Sequence, residues 1–313
     1  MEEGHLPVLA EEVVSMLSPA PGSFQIDATV GGGGHTERIL EATDPDGRLL
    51  GLDADGAAIA RVGRRLARFG DRLVLRQSNF RELGAVAPAA GFGAVDGLLF
   101  DLGLSSYQLR DASRGFGIRT GGPLDMRFDA SRGVPAAELL ATLDAAELTA
   151  LFRRYGEEPQ AARIARAIVV ARRTAAIRTA EELAALAERV APVAPRGRRR
   201  IHPATRIFQA LRIAVNAELD ALETALASAM DLLRPGGRLV VLSYHSLEDR
   251  IVKRFIAAER KGCICPPELP VCVCGRQPRL RPLGKPLTPR PEEIAGNPRS
   301  RSARLRAAER LAA

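Results

Sequence analysis

The chain has 313 residues, 46% of them hydrophobic, which is enough for one large domain or for a domain with a smaller companion. No apolar run approaches the ~20 residues that cross a bilayer, and the start Met1-Glu-Glu-Gly-His lacks the apolar stretch of a secretion signal. All four cysteines lie between Cys263 and Cys274, which excludes a disulfide framework. We therefore expect a soluble, cytoplasmic protein without a membrane partner.

The net charge of +8 is unevenly distributed. Residues 276–313 carry a net charge of +7 and residues 194–212 a net charge of +6, which leaves −5 for the remainder. Basic patches on an acidic body are typical of proteins that bind polyanions, since each phosphate contact releases counterions. We expect RNA to bind these patches, with Arg199 in the run Arg196–Arg200 as a candidate substrate contact. The alternative for the C-terminal patch is a solvated tail.

Strands and helices alternate over residues 24–101, and apolar strands precede glycines or acids. The pattern predicts strands at Phe24–Val30, Arg48–Asp53, Leu73–Leu75 and Val95–Asp101, and helices at His35–Ala42 and Asp55–Phe69. This alternation predicts a doubly wound α/β fold with a parallel sheet, whose ligand lies at the carboxyl ends of the strands.

The alternation is interrupted after Asp101. Residues 102–134 are rich in Gly, Arg and Asp and are predicted to form a long functional loop, and residues 135–191 look all-helical. A long helix from about Thr205 to Leu233 and a strand at Arg238–Ser243 resume the alternation, and an irregular basic tail follows over residues 263–313. We therefore predict a sheet domain of residues 1–106 and 205–313 with an inserted all-helical domain at 107–204.

A glycine loop joins the first strand to the first helix. Glycines 31 to 34 let the backbone approach a ligand closely, and Asp53 at the end of the next strand can accept hydrogen bonds from both hydroxyls of a ribose. This arrangement suits NAD or S-adenosylmethionine. Thr36 stands where a dinucleotide fingerprint has its third glycine, and the early acid Asp27 is more typical of methyltransferases.

Two further positions fit a nucleoside site. Phe80 follows the third strand, where an aromatic ring can cover an adenine, although a lone Phe is also common in a core. Asp101 ends the fourth strand, where methyltransferases place the group nearest the transferred methyl. A carboxylate is costly to bury there unless it has a task.

Longer blocks carry a specific resemblance. They are His5-Leu-Pro-Val-Leu, Asp27-Ala-Thr-x-Gly-Gly-Gly-Gly-His, Asp101-Leu-Gly-Leu-Ser-Ser-Tyr-Gln-Leu, Arg114-Gly-Phe, Pro123-Leu-Asp-Met-Arg, Arg206-Ile-Phe-Gln-Ala-Leu-Arg, Ser243-Tyr-His-Ser-Leu-Glu-Asp-Arg and Asn297-Pro-Arg-Ser-Arg-Ser. These blocks, in this order over nearly the whole chain, resemble the RsmH (MraW) family. Tyr244 stands where Phe is common in that family.

The resemblance implies a Rossmann-like class I methyltransferase sheet with an inserted helical domain. It implies S-adenosylmethionine as methyl donor and N4-methylation of a cytidine in the decoding region of 16S rRNA, within the small ribosomal subunit. Matched by motif, the implied cofactor contacts are Gly33, Gly34, His35, Asp53, Phe80, Asp101 and Gln108. Helix packing is the alternative role for His35.

The chemistry points to a pocket around Asp101. The N4 amine of cytosine is a poor nucleophile because its lone pair is conjugated into the ring, so groups that accept its hydrogen bonds would make it more reactive. Asp101, Ser105 and Ser106 are the catalytic candidates. Methylation at C5 would instead need a cysteine nucleophile, and no cysteine precedes residue 263.

Several assignments have two interpretations from sequence alone. His245 is a candidate substrate contact or a structural histidine. Asp125 and Arg127 are candidate substrate contacts or a pair that orders the loop. Cys263, Cys265, Cys272 and Cys274 could chelate zinc, but their Cys-x-Cys spacing is not the usual Cys-x-x-Cys, and we assign no metal ligand.

Two other functions remain open at this stage. An NAD-dependent oxidoreductase would share the glycine loop and Asp53, but it leaves the basic patches unexplained. A non-catalytic RNA-binding assembly factor would not need the intact set of Gly33, His35, Asp53 and Asp101. The sequence leaves the oligomeric state open, a homodimer included.

Overall fold

A seven-stranded sheet organises the larger of two compact units. The computed structural model describes residues 7–190, 202–266 and 268–312. The strand order is β3-β2-β1-β4-β5-β7-β6; β1 to β5 run parallel to one another, and β7 runs antiparallel to β5 and β6. The strands are β1 (Phe24–Asp27), β2 (Arg48–Asp53), β3 (Leu73–Gln77), β4 (Val95–Asp101), β5 (Leu233–Ser243), β6 (Leu280–Pro282) and β7 (Arg304–Arg310).

The helices fall into two groups along the chain. The sheet unit holds α1 (Ala10–Leu17), α2 (Gly34–Ala42), α3 (Gly56–Arg65), α4 (Leu83–Ala89), most of α11 (Glu218–Leu232), α12 (Ser246–Lys261) and α13 (Pro291–Gly296). The second unit holds α5 (Ser106–Arg110), α6 (Ala136–Thr142), α7 (Ala145–Gly156), α8 (Ala161–Ala171), α9 (Ala180–Val190) and α10 (Thr205–Asn216). No helix among the described residues is both long and apolar enough to cross a membrane.

Apolar side chains cover both faces of the sheet. Leu98 and Phe100 of β4 belong to one core cluster, which includes residues of α4, α11 and α12, whereas Leu99 belongs to another cluster with residues of α1 and α2. Successive side chains of a strand point to opposite faces, so a strand buried on both sides needs a continuous apolar run. The predicted Rossmann-like, doubly wound α/β fold is therefore confirmed.

The second unit is all-helical and has its own core. It comprises the described part of Leu104–Glu218, with large buried side chains such as Phe116, Phe152 and Ile164. Thr179 and Glu182 form a capping box at the start of α9: the Glu182 N–H donates to the Thr179 hydroxyl, and the Thr179 N–H donates to the Glu182 carboxylate.

The predicted long helix over residues 205–233 is two helices. Ala217 adopts a left-handed conformation with φ 47°, which ends α10 before α11 starts. α10 packs on α7 at Gly156, where an added Cβ would lie 2.5 Å from the Arg206 carbonyl oxygen. The helical unit comprises residues 104–218, where the sequence predicts 107–204, because α10 packs on α7 and its side chains belong to the helical core.

The prediction of an irregular tail over residues 263–313 is wrong from β6 onward. β7 pairs with β5 from Arg238 to Ser243, and β6 extends the sheet beyond β7. Leu305 and Ala308 of β7 are buried in the core, while Arg304 and Arg306 pair with Asp249 at 3.0 and 2.6 Å. The arginines that flank the apolar positions concealed the strand pattern.

Candidate active site

The glycine loop lies where the strand order reverses, between β1 and β4. In parallel sheets this switch point opens a crevice at the carboxyl ends of the strands. Gly31 and Gly33 have φ of 51° and 79°, which glycine adopts without strain, and Gly33 caps α2. Arg65 of α3 donates to the Gly32 carbonyl and pairs with Glu37, so the loop is tied to the next helix.

Asp53 contacts this loop from the end of β2. Its carboxylate accepts hydrogen bonds from the N–H groups of Gly31 and Asp55, both at 2.8 Å. Burial raises the pKa of Asp53 to about 6, against the lowering effect of these two hydrogen bonds. Each carboxylate oxygen retains lone pairs for further donors, so the position suits the hydroxyls of a ribose.

Asp27 has a structural role under the loop. It is buried and accepts hydrogen bonds from the Thr36 hydroxyl at 2.7 Å and the Thr29 N–H at 3.1 Å. Burial raises the pKa of Asp27. The early acid that suggested a methyltransferase thus holds the first turn of α2 against the end of β1.

Asp101 is held by a residue to which the sequence analysis gave no role. The Tyr244 hydroxyl donates to Asp101 Oδ1 at 2.7 Å, and the Asp101 N–H donates to the Thr29 hydroxyl at 2.6 Å. Burial and the nearby Asp101 charge raise the pKa of Tyr244 well above its usual value. Tyr244 directly follows β5, which pairs with β4, but the sequence alone does not show that these two strands are neighbours.

His35 faces the same carboxylate from the start of α2. Its Nε2 lies 3.5 Å from Asp101 Oδ2, and its side chain is only 5% exposed. Neither ring nitrogen has a well-aligned hydrogen-bond partner among the described residues. A buried imidazole without a partner is costly, so a ligand that offers one fits here. The unsatisfied His35 and the Asp53 carboxylate together fit the expected adenosine-based cofactor.

Phe80 follows β3 and packs against the sheet core. Its ring meets that of Phe100 edge to face, with centroids 5.9 Å apart, and it remains partly exposed. The Asn79 side chain accepts from the Arg81 N–H and fixes the turn. The core contact is therefore present, and the adenine contact of Phe80 stays a prediction.

Ser105 and Gln108 form a capping box at the start of α5. The Gln108 N–H donates to Ser105 Oγ at 3.2 Å, and the Ser105 N–H donates to Gln108 Oε1 at 3.1 Å. Ser106 is the first residue of this helix. The pattern Ser-x-x-Gln is typical of such a box, so these residues have a structural role beside the chemical one expected from sequence. Their catalytic and cofactor roles stay predictions.

His245 is the N-cap of α12. Its Nδ1 accepts from the Glu248 N–H at 3.4 Å, and Glu248 Oε2 accepts from the Tyr244 and His245 N–H groups at 2.8 and 3.3 Å. The structural alternative for His245 is thus observed, and its substrate contact stays a prediction.

Asp125 and Arg127 pair with each other. The guanidinium donates two hydrogen bonds to the carboxylate, at 2.8 and 2.7 Å, so this pair orders the loop. The Arg127 charge lowers the pKa of Asp125 through these bonds, although burial opposes it. Substrate contact by this pair is untested, and Arg199 lies outside the described residues.

Comparison with known proteins identifies the family. The model of the MraW methylase family matches residues 2–311. The chain is 56% identical to a ribosomal RNA small subunit methyltransferase H of Thermomicrobium roseum, over 98% of this chain and 94% of that one. It is 51% identical to the protein of the same name from Syntrophotalea carbinolica, over 98% of both chains. An rRNA methylase structure from Streptococcus thermophilus aligns with a TM-score of 0.43 and 12% identity, over 97% of this chain and 94% of that one. The chain belongs to the MraW methylase family and is an S-adenosylmethionine-dependent methyltransferase.

Proposed function

We propose that this protein methylates the exocyclic N4 amine of a cytidine in the decoding region of 16S rRNA, within the small ribosomal subunit. The relatives named above are ribosomal RNA small subunit methyltransferases, which supports an rRNA substrate. The arrangement of Asp101 carries the finer proposal. At the switch point the Asp101 carboxylate accepts a hydrogen bond from the Tyr244 hydroxyl, its backbone N–H donates to the Thr29 hydroxyl, and its Oδ2 faces His35.

The chemistry assigns specific tasks to the chain. When bound, S-adenosylmethionine supplies a methyl group on a sulfonium, which is already a strong electrophile. Gly33, Gly34, His35 and Asp53 bind and orient the donor, and Phe80 and Gln108 complete its contacts. Asp101 accepts a hydrogen bond from the amine, which favours a pyramidal and more nucleophilic nitrogen, and takes the proton that the amine loses after transfer. Ser105 and Ser106 orient the same amine.

The cysteines support N4 over C5 as the acceptor. C5-methylation of cytosine proceeds through a cysteine nucleophile. Residues 1–262 contain no cysteine, and the four that follow lie together in one loop, with their sulfurs within 4.8 Å of one another. Amine chemistry needs only an acceptor such as Asp101.

The charge distribution supports an RNA surface on the helical unit. Four exposed arginines lie on α8 or shortly after it. They are Arg163 and Arg166 on the helix, and Arg173 and Arg178 after it. Many tail arginines instead pair with acids, as Arg281 does with Glu309 at 2.7 Å. We therefore place the main RNA contacts on the helical unit and on the run Arg196–Arg200, and give the tail a smaller share.

Identification of the product tests the proposal. Small subunits from cells that lack the gene would be incubated with the enzyme and an isotopically labelled donor, and the RNA nucleosides would be analysed by mass spectrometry. We expect label in N4-methylcytidine at one position of 16S rRNA. Label in 5-methylcytidine, or in another RNA only, would refute the proposal. Asp101→Asn is the negative control, with cofactor binding measured in parallel.

A further inference from the structure

Four cysteines outside the methyl-transfer site converge in the loop between α12 and β6. Cys272 Sγ lies 3.4, 3.9 and 3.6 Å from the sulfurs of Cys263, Cys265 and Cys274, and Cys263 Sγ lies 3.8 Å from Cys274 Sγ. All four sulfurs lie within 4.8 Å of one another. Four thiolates around a tetrahedral zinc ion, each at about 2.3 Å, stand about 3.8 Å apart. The sulfurs thus already lie close to the corners of such a tetrahedron.

Among its described residues, this loop has neither regular secondary structure nor an apolar core of its own. Residues 262–279 contain no helix or strand where the structure describes them. Their large apolar side chains face solvent, with Ile264, Val271 and Val273 66%, 70% and 77% exposed. Because the loop buries so little apolar surface, hydrophobic burial cannot order it, whereas a metal that joins four side chains can.

The backbone around the cysteines is arranged for thiolate ligands. The Val273 N–H donates to Cys265 Sγ at 3.4 Å. Hydrogen bonds of this kind stabilise sulfur that carries negative charge.

The ends of the loop meet at a fixed base. Gly262 has φ 69°, and a Cβ there would lie 2.5 Å from the Gln277 carbonyl carbon. The Arg279 side chain also pairs with Glu259 at 2.6 Å. Both Cys-x-Cys pairs are therefore held at the base of one closed loop, so the spacing that differs from Cys-x-x-Cys does not prevent convergence.

We propose that Cys263, Cys265, Cys272 and Cys274 bind one structural Zn²⁺ ion. Four protein ligands leave no open coordination position, so the ion orders the loop and takes no part in methyl transfer. The sulfurs are too close together for a cluster of several irons, in which different metal atoms take the cysteines. The shortest separation, 3.4 Å, is far above the ~2.05 Å of a disulfide, which agrees with four free thiols.

Metal analysis of the full-length protein, purified under reducing conditions, is the test. We expect one zinc equivalent per chain, and cobalt substitution should give the intense visible bands of a tetrahedral thiolate site. The double variant that combines Cys272→Ser and Cys274→Ser should lose the metal, whereas the control Val271→Ser, in the same loop, should retain it.

Hydrogen exchange supplies a second readout that does not depend on activity. A strong chelator should increase exchange in residues 268–279 of the wild-type protein and leave β1 to β5 unchanged. Substoichiometric metal with no cobalt spectrum, iron in place of zinc, or a metal content unchanged in the double cysteine variant would overturn the proposal.

Discussion

Asp53 couples cofactor affinity to pH. Its pKa is raised to about 6, and ribose hydroxyls donate most strongly to the ionised carboxylate. The affinity for S-adenosylhomocysteine should therefore be constant above pH ~7 and fall up to about tenfold per pH unit below pH ~6, because binding must then remove a proton. Calorimetry across this range measures the effect.

Two variants test whether Asp53 causes this break, the change near pH 6 in the slope of cofactor affinity against pH. Asp53→Ala should weaken binding by about 1.5–3 kcal/mol, since charge-assisted hydrogen bonds are lost. Asp53→Asn has no group that titrates in this range, so its profile should lose the break near pH 6. A break that persists in Asp53→Asn would assign it to another group, such as the buried Asp27.

Ser105 combines a cap with a proposed catalytic hydroxyl, and two substitutions separate these roles. Ser105→Ala removes both, whereas Ser105→Asn keeps a cap acceptor and removes the hydroxyl. If the hydroxyl orients the amine, both variants should lower single-turnover methylation by roughly ten- to a thousandfold, with cofactor affinity within a few-fold. Ser106→Ala should behave in the same way.

A wild-type methylation rate in Ser105→Asn would mean that Ser105 acts only as a helix cap. A wild-type rate in Ser106→Ala as well would place the amine pocket elsewhere.

At the scale of the element, α12 depends on its capping box. His245→Ala removes the acceptor for the Glu248 N–H and should lower the free energy of unfolding by about 1 kcal/mol. His245→Asn should restore most of it, because Asn is a strong N-cap residue. Chemical denaturation compares the three proteins.

The same pair of variants tests whether His245 also contacts substrate. If it only caps α12, His245→Asn should methylate at the wild-type rate. If His245 contacts RNA, His245→Asn should recover the wild-type stability but keep a raised KM for the small subunit. A destabilised His245→Asn variant would contradict the capping role.

At the scale of the whole molecule, RNA binding should depend steeply on salt. Each phosphate contact contributes about 0.7 to the slope of log affinity against log salt for single-stranded nucleic acid. Arg163→Ala with Arg166→Ala should weaken binding and reduce the slope by about 1 to 2. Fluorescence anisotropy at several salt concentrations measures both quantities.

The control for that measurement changes the same charge elsewhere. Arg64 and Arg260 are exposed in the sheet unit, and their double alanine variant should leave the slope nearly unchanged. Equal effects in the two double variants would mean a diffuse attraction rather than an RNA surface on the helical unit. Deleting the tail is not a useful test, because β6 and β7 are part of the sheet.

The sequence alone was sufficient for the features that depend on neighbouring residues. Short-range patterns of glycine, charge and apolar periodicity predict the glycine loop, the acids Asp53 and Asp101 at strand ends, the parallel sheet and the helical insertion. The local Ser-x-x-Gln pattern also predicts the capping box of Ser105 and Gln108, for which only a chemical role was expected.

Tertiary structure alone decided the features that join distant parts of the chain. β7 becomes a strand only beside β5, where Asp249 offsets its arginines. Tyr244 reaches Asp101 across 143 residues of sequence because β5 and β4 are adjacent, and α10, which packs on α7, ends at the left-handed Ala217. The four cysteines converge where Gly262 approaches Gln277 at the other end of their loop. Long-range packing and strand pairing determine these contacts, and local periodicity does not identify the distant residue that each one joins.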